Sequence, residues 1–100
     1  MIKHVVMWRF KDKAEDLTRE ENKKLLTQKL LDLPKFIQEI DSLEVGENFT
    51  SSPAAYELVL ITTHESKEAL KAYQVHPRHQ EVVAFVSEVV SDRVVVDFEY

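Results

Sequence analysis

The chain has four histidines and three tyrosines in 100 residues, yet one short stretch, AYQVHPRHQ from Ala72 to Gln80, holds Tyr73, His76 and His79. A proline follows the first of those histidines. If Pro77 opens a helix, His79 is its third residue and lies in the positive field of the helix N-terminus. That field and burial both disfavour imidazolium. His79 is therefore expected below the ordinary histidine pKa of about 6.5, as a neutral base near pH 7. Such a base can remove a proton α to a carbonyl while Tyr73 donates a hydrogen bond to the enolate oxygen. A structural reading stands beside the chemical one: His76 caps the helix, Tyr73 belongs to an inward stripe, and His79 bonds to strand backbone. His4 sits on an otherwise apolar strand face and needs a partner when buried, with Tyr73 or His79 the candidates. His64 is expected to be exposed.

Other chemistries find less support. His76 and His79 have helical spacing, but no acidic residue completes a set, and the chain has no cysteine and no H-E-x-x-H motif. No metal and no cofactor are expected. Glu44, Glu47, Glu57 and Asp97 read as strand-edge and surface charges, with Asp97 paired to Arg9 or Arg93 on the far face of a sheet. The mixed-charge run from Lys11 to Lys24 reads as solvated. The net charge of −5, without a Lys/Arg cluster, argues against a nucleic-acid partner. No apolar run approaches a membrane span, and the opening MIKHVVMWRF is too short and too broken by charge for a signal peptide. No membrane partner is expected, and the cytoplasm is the default location. Composition otherwise describes a single globular domain over residues 1–100, with 44% hydrophobic and 31% charged residues.

The elements that must position these residues can be read in order. Ile2 to Phe10 alternates as a strand, with His4, Val6, Trp8 and Phe10 on one side. KDKAED is a loop. Thr18 and Glu21 form a capping box for a helix carrying Leu26, Leu30 and Leu33, which Pro34 breaks. Leu43, Val45 and Phe49 suggest a strand, with a bulge or close backbone approach at the only glycine, Gly46. Tyr56 to Thr63 is the clearest central strand. Ser66 caps a helix through KEALKAYQ, and His76-Pro77 ends it and starts another through EVVAFVSEVV. RVVVDFEY is a last strand, with Val94, Val96 and Phe98 on one face and Arg93, Val95 and Asp97 on the other.

Strand, helix, strand, strand, split helix, strand is the ferredoxin-like α+β pattern, an antiparallel four-stranded sheet with its helices on one face. If the even-numbered residues face the helices, the other face carries Val5, Met7, Val59, Ile61 and Val95. An apolar face without helices must bury itself elsewhere, and a homodimer closing an α/β barrel from two sheets is the expected solution.

The segments IKHVVMWRFKD, SLEVGENF, ALKAYQVHPRHQEV and RVVVDFE together resemble the Dabb family of stress-responsive dimeric α/β-barrel domains, over essentially the whole chain. The resemblance implies the same ferredoxin-like fold and the same pairing of sheets. Within that family, plant polyketide cyclases fold a linear poly-β-keto thioester by intramolecular aldol condensation. Their catalytic histidine and tyrosine match His79 and Tyr73, and a further pocket histidine matches His4. The implied pocket is lined by His4, Val6, Trp8, Phe10, Leu26, Leu30, Leu58 and His76, with Trp8 bulky enough to fill space a long acyl chain would need. Three functions follow from different classes. One is a homodimeric domain that binds a small apolar organic molecule or acts as a stress-associated scaffold. Another is an aldol-type cyclase or lyase using His79 and Tyr73. The third borrows from other dimeric α+β barrels, as a cofactor-independent monooxygenase or a haem-handling protein. A pocket of roughly 300 Å³ or more, open to Tyr73 and His79, would favour ligand chemistry over a scaffold.

Overall fold

The alternation in Ile2–Phe10 becomes strand β1, with Ile2, His4, Val6, Trp8 and Phe10 buried and the odd-numbered residues more open. The computed structural model describes residues 1–100. The charged run after β1, expected as plain loop, contains a minimal hairpin of β2 (Lys13–Ala14) and β3 (Leu17–Thr18). Its tip is Glu15 and Asp16, with φ of 54° and 60°. Two consecutive left-handed residues give the turn whose twist suits a tight hairpin. Buried Asn22 anchors it by donating from Nδ2 to the Ala14 carbonyl, 3.1 Å away.

Helix α1 (Arg19–Asp32) opens on the expected capping box. Thr18 Oγ1 accepts from the Glu21 amide at 3.2 Å, and Glu21 Oε1 accepts from the Thr18 amide at 2.9 Å. Those bonds favour the charged carboxylate and hold the Glu21 pKa below its usual value. A 3₁₀ turn over Leu33–Lys35, begun with Pro34, leads to β4 (Ser42–Glu47). Then follow β5 (Leu58–His64), α2 (Lys67–Val75), α3 (Pro77–Val89) and β6 (Val90–Glu99). Ser66 caps α2 by accepting from the Ala69 amide at 3.0 Å. None of these helices is long and apolar enough to cross a membrane.

The main sheet runs β4-β5-β1-β6, every neighbour antiparallel. All three helices cover one face, giving a ferredoxin-like α+β fold. The core between helices and sheet joins Leu26, Leu30 and Val89 to Val6, Phe10 and Leu60. One sequence expectation needs correction here, and one alternative is decided. Phe49 is not part of a strand; β4 ends at Glu47, and Phe49 is fully exposed. Gly46 marks a close approach, not a bulge, because the β4–β5 register is unbroken and an added Cβ would meet Val59 Cγ1 at 3.1 Å.

The larger correction concerns β6. Even positions of β1 pair with odd positions of β6: His4 with Asp97, Val6 with Val95, and Trp8 with Arg93. Paired residues share a face, so Val95 and Asp97 belong to the helix-covered side. Val94, Val96 and Phe98 join Val5, Met7, Val59 and Ile61 on the open side. The alternation within β6 is as expected; its assignment to faces is inverted, because nothing in a strand's own sequence states its partner's register.

Candidate functional site

Tyr73 is the centre of the site. It projects from α2, is fully buried, and its ring is surrounded by three imidazoles. The centroid distances are 4.4 Å to His79, 5.0 Å to His64 and 6.1 Å to His4. Four elements supply these rings: β1, β5, α2 and α3. The strand registers set His4 beside Thr62, and Ile2 beside His64. The break at His76-Pro77 bends the chain so that α3 brings His79 back onto Tyr73.

Each histidine has a defined partner. His79 Nδ1 donates to the Gln74 carbonyl at 2.9 Å, which leaves the Nε2 lone pair as its acceptor. Burial is the largest influence on its pKa and lowers it. Positive charge at Arg93 and the neighbouring His4 and His76 act the same way, against the Gln74 carbonyl. His76 sits at the helix boundary, accepting at Nδ1 from the Arg78 amide at 3.1 Å as the cap of α3. His4 Nδ1 bonds to Asp97 Oδ1. The expected partners Tyr73 and His79 are therefore not the ones used, and Asp97 is not on the far face with Arg9 or Arg93. His64 is also misjudged by the sequence: it is fully buried. Its Nδ1 donates to the Glu39 carbonyl at 2.8 Å, and its Nε2 accepts from Thr62 Oγ1 at 2.9 Å. Burial again leads in pushing its pKa down.

Beside this cluster lies a cavity of about 430 Å³. Of the lining expected from sequence, His4, Val6, Trp8 and Leu30 are on its wall, with Tyr73 and His79. Phe10, Leu26 and Leu58 pack into the core instead, and His76 is spent on capping. Trp8 forms a wall and does not plug the space. The remaining wall comes from Leu60 of β5, from Val82, Val83, Val86 and Ser87 of α3, and from the start of β6, Val90 to Arg93. Sequence reasoning missed that rim for the reason it missed Asp97, the inverted face of β6. Two of the residues that line it carry a buried polar atom without a hydrogen-bond partner, the Tyr73 hydroxyl and Trp8 Nε1. Burial pushes the Tyr73 phenol well above its usual pKa, so it stays a neutral O–H donor.

The family model of the stress responsive A/B barrel domain (Dabb) matches residues 2–100. The chain belongs to that family. Among solved structures similar to this Dabb domain is a dimeric ferredoxin-like protein of unknown function from Thermobifida fusca. It is 23% identical, with 99% of this chain and 90% of that one covered and a TM-score of 0.84. A protein of Arabidopsis thaliana is 25% identical over 100% of this chain and 95% of its own, with a TM-score of 0.83. The hydroxynitrile lyase of Passiflora edulis shares the fold at 15% identity, covering 97% and 90% of the two chains with a TM-score of 0.80. No curated protein sequence matches the Dabb chain significantly.

Proposed function

We propose that this Dabb domain works as a homodimer whose protomers each hold a small organic molecule, largely apolar, in the cavity beside Tyr73. The observation that carries the ligand is a largely apolar space of about 430 Å³, within the size range of small-molecule pockets, lined by Tyr73, whose buried hydroxyl has no partner. A buried hydroxyl without a partner costs about 1–3 kcal/mol, and a small turn of the ring toward a ligand oxygen would remove that cost. Pairing of protomers is supported by the open sheet face and by the dimeric description of the Thermobifida relative. Extraction of the purified protein with organic solvent, followed by mass spectrometry, tests the ligand. A small molecule released at near one per protomer from the wild type, and lost from Tyr73→Phe, is the expected result. Solvent extracts that stay empty, with no thermal shift across a panel of apolar compounds, would defeat it.

A second reading has its own observation, the neutral His79 beside Tyr73 on one cavity wall. In it His79 Nε2 takes a proton α to a ketone, and the Tyr73 O–H hydrogen-bonds the enolate oxygen. The enolate carbon attacks a second carbonyl of the same molecule, and the imidazolium returns its proton to the new alkoxide. The test is turnover of a linear poly-β-keto thioester. Loss of cyclised product in both His79→Ala and Tyr73→Phe supports the aldol-type reading, and an equal rate in either variant excludes it.

A further inference from the structure

We infer that the molecule held in this cavity carries a carboxylate or similar oxyanion, received by Arg93. This rests on the cavity-binding reading above and narrows it to apolar acids.

Arg93 stands on β6 directly opposite Trp8, on the helix-covered side of the sheet, and lines the cavity while its outer part reaches solvent. The carboxylates on and beside this wall are taken. Asp97 bonds His4, and Asp92 pairs with Arg9 at 3.5 Å. Arg93 takes part in none of the ion pairs of the structure. The two serines of the wall are also occupied: Ser87 donates to the Ala84 carbonyl at 2.7 Å, and Ser91 to the Arg9 carbonyl at 3.3 Å. Beside the His79 Nε2 lone pair, what stays open on this wall is donors. Trp8 Nε1–H is a donor without a partner, Tyr73 offers an O–H, and Arg93 offers a guanidinium.

A hydrocarbon would leave all three unanswered, and an amine would face the arginine. A carboxylate supplies up to four lone-pair directions, and the guanidinium fork matches its two oxygens. The apolar side chains of Val6, Leu30, Val82 and Val86 suit the body of such a molecule, with the acid held near the rim at β6. Arg93 also lowers the pKa of both Tyr73 and His79, so its charge is felt across the cavity.

The chain has one tryptophan, Trp8, and it is on the wall, so its fluorescence reports occupancy directly. The probes are two matched pairs below their micellar range: decanoate with 1-decanol, and 4-phenylbutyrate with 4-phenylbutanol. Wild type should bind at least one acid about tenfold or more tighter than its alcohol, the ratio expected of a charge-assisted hydrogen bond. Arg93→Gln should bring the acid down to the affinity of its alcohol and leave the alcohol unchanged, whereas Arg93→Lys should keep part of the preference. Circular dichroism confirms that both variants are folded. Equal binding of acid and alcohol in wild type overturns the oxyanion inference and leaves cavity binding standing. A preference that survives Arg93→Gln overturns the role of Arg93. No binding of any probe overturns both this inference and the cavity reading beneath it.

Discussion

The two faces of the sheet are built from the same strands and differ in what they bury. The helix-covered face carries His4, Thr62, His64 and Asp97 toward one end, packed against Tyr73, with apolar residues filling the rest. The open face carries Val5, Met7, Val59, Ile61, Val94 and Val96 across its centre, with Lys3, Arg9 and Glu44 toward its margins. A core that needed only hydrophobic packing would gain nothing from three histidines around a tyrosine, since every buried polar atom must find a partner. The polar end of the covered face is where the proposed ligand would sit. The apolar centre of the open face suits association, where direction-specific polar contacts are not required.

A charge on the open face should have the strongest consequence. Val59→Asp or Ile61→Asp should convert a dimer into monomers on size-exclusion chromatography, because closing two such faces would bury an unpaired carboxylate at a cost of about 3–5 kcal/mol. The cavity side should be untouched, so fluorescence of Trp8 should stay as in wild type. A dimer that persists in both variants would mean that the sheets meet elsewhere, or not at all.

On the covered face, two substitutions at Tyr73 should separate structure from function. Tyr73→Ala removes a fully buried ring and should cost about 3–5 kcal/mol of stability in denaturant unfolding. Tyr73→Phe removes only a hydroxyl that has no partner within the protein, so stability should stay within about 1 kcal/mol of wild type while ligand retention falls. A large loss in Tyr73→Phe would show the hydroxyl to be paired in the folded protein, and the ligand argument would lose its basis.

Much of this was legible in the chain, and the failures share a cause. Alternation in β1, the boxes at Thr18 and Ser66, and the break at His76-Pro77 are local signals, carried by residues a few positions apart. They place Tyr73 and His79 on successive helices and His4 on the covered face. The pairing of His4 with Asp97 spans the whole chain and depends on register, which local pattern does not state. His64 closes an apolar strand just before the turn into α2, so its position suggested solvent. Its burial follows from the segment between α1 and β4, where the Glu39 carbonyl reaches over to accept its proton. The hairpin at Glu15 and Asp16 escaped because it lacks the glycine or asparagine that usually marks two left-handed residues.

The covered face should also respond to mild acid through its histidines. His64 and His79 both have folded pKa values below the ordinary one, so the unfolded chain binds more protons. Their contribution to stability is complete above about pH 6.5, declines below it, and is lost once the pH has passed the folded-state values. Glu21, also lowered, acts in the carboxylate range and leaves this window clear. Unfolding midpoints should therefore fall as the pH is lowered from about 7.5 to about 5.5. His79→Gln should flatten that fall, and Val59→Asp should not. An equal slope in His79→Gln would mean that the ring is as easily protonated folded as unfolded.

The smallest effect is the most discriminating for the open face. Gly46 has no left-handed backbone, so alanine there is conformationally allowed and should gain about 0.5–1 kcal/mol from a stiffer unfolded chain. Against that stands the Val59 Cγ1 methyl, 3.1 Å from the new Cβ. If the face is open to solvent, Val59 turns aside and Gly46→Ala stabilises. If a second sheet covers the face, Val59 is held, and the substitution should destabilise by less than about 1 kcal/mol. The double-mutant cycle with Val59→Ala separates the terms, since removing the methyl frees the space in either case. In that background Gly46→Ala should stabilise, and a reversal of sign between the two backgrounds identifies a covered face. Stabilisation by Gly46→Ala in both backgrounds would instead place the open face in water and remove the physical ground for the dimer.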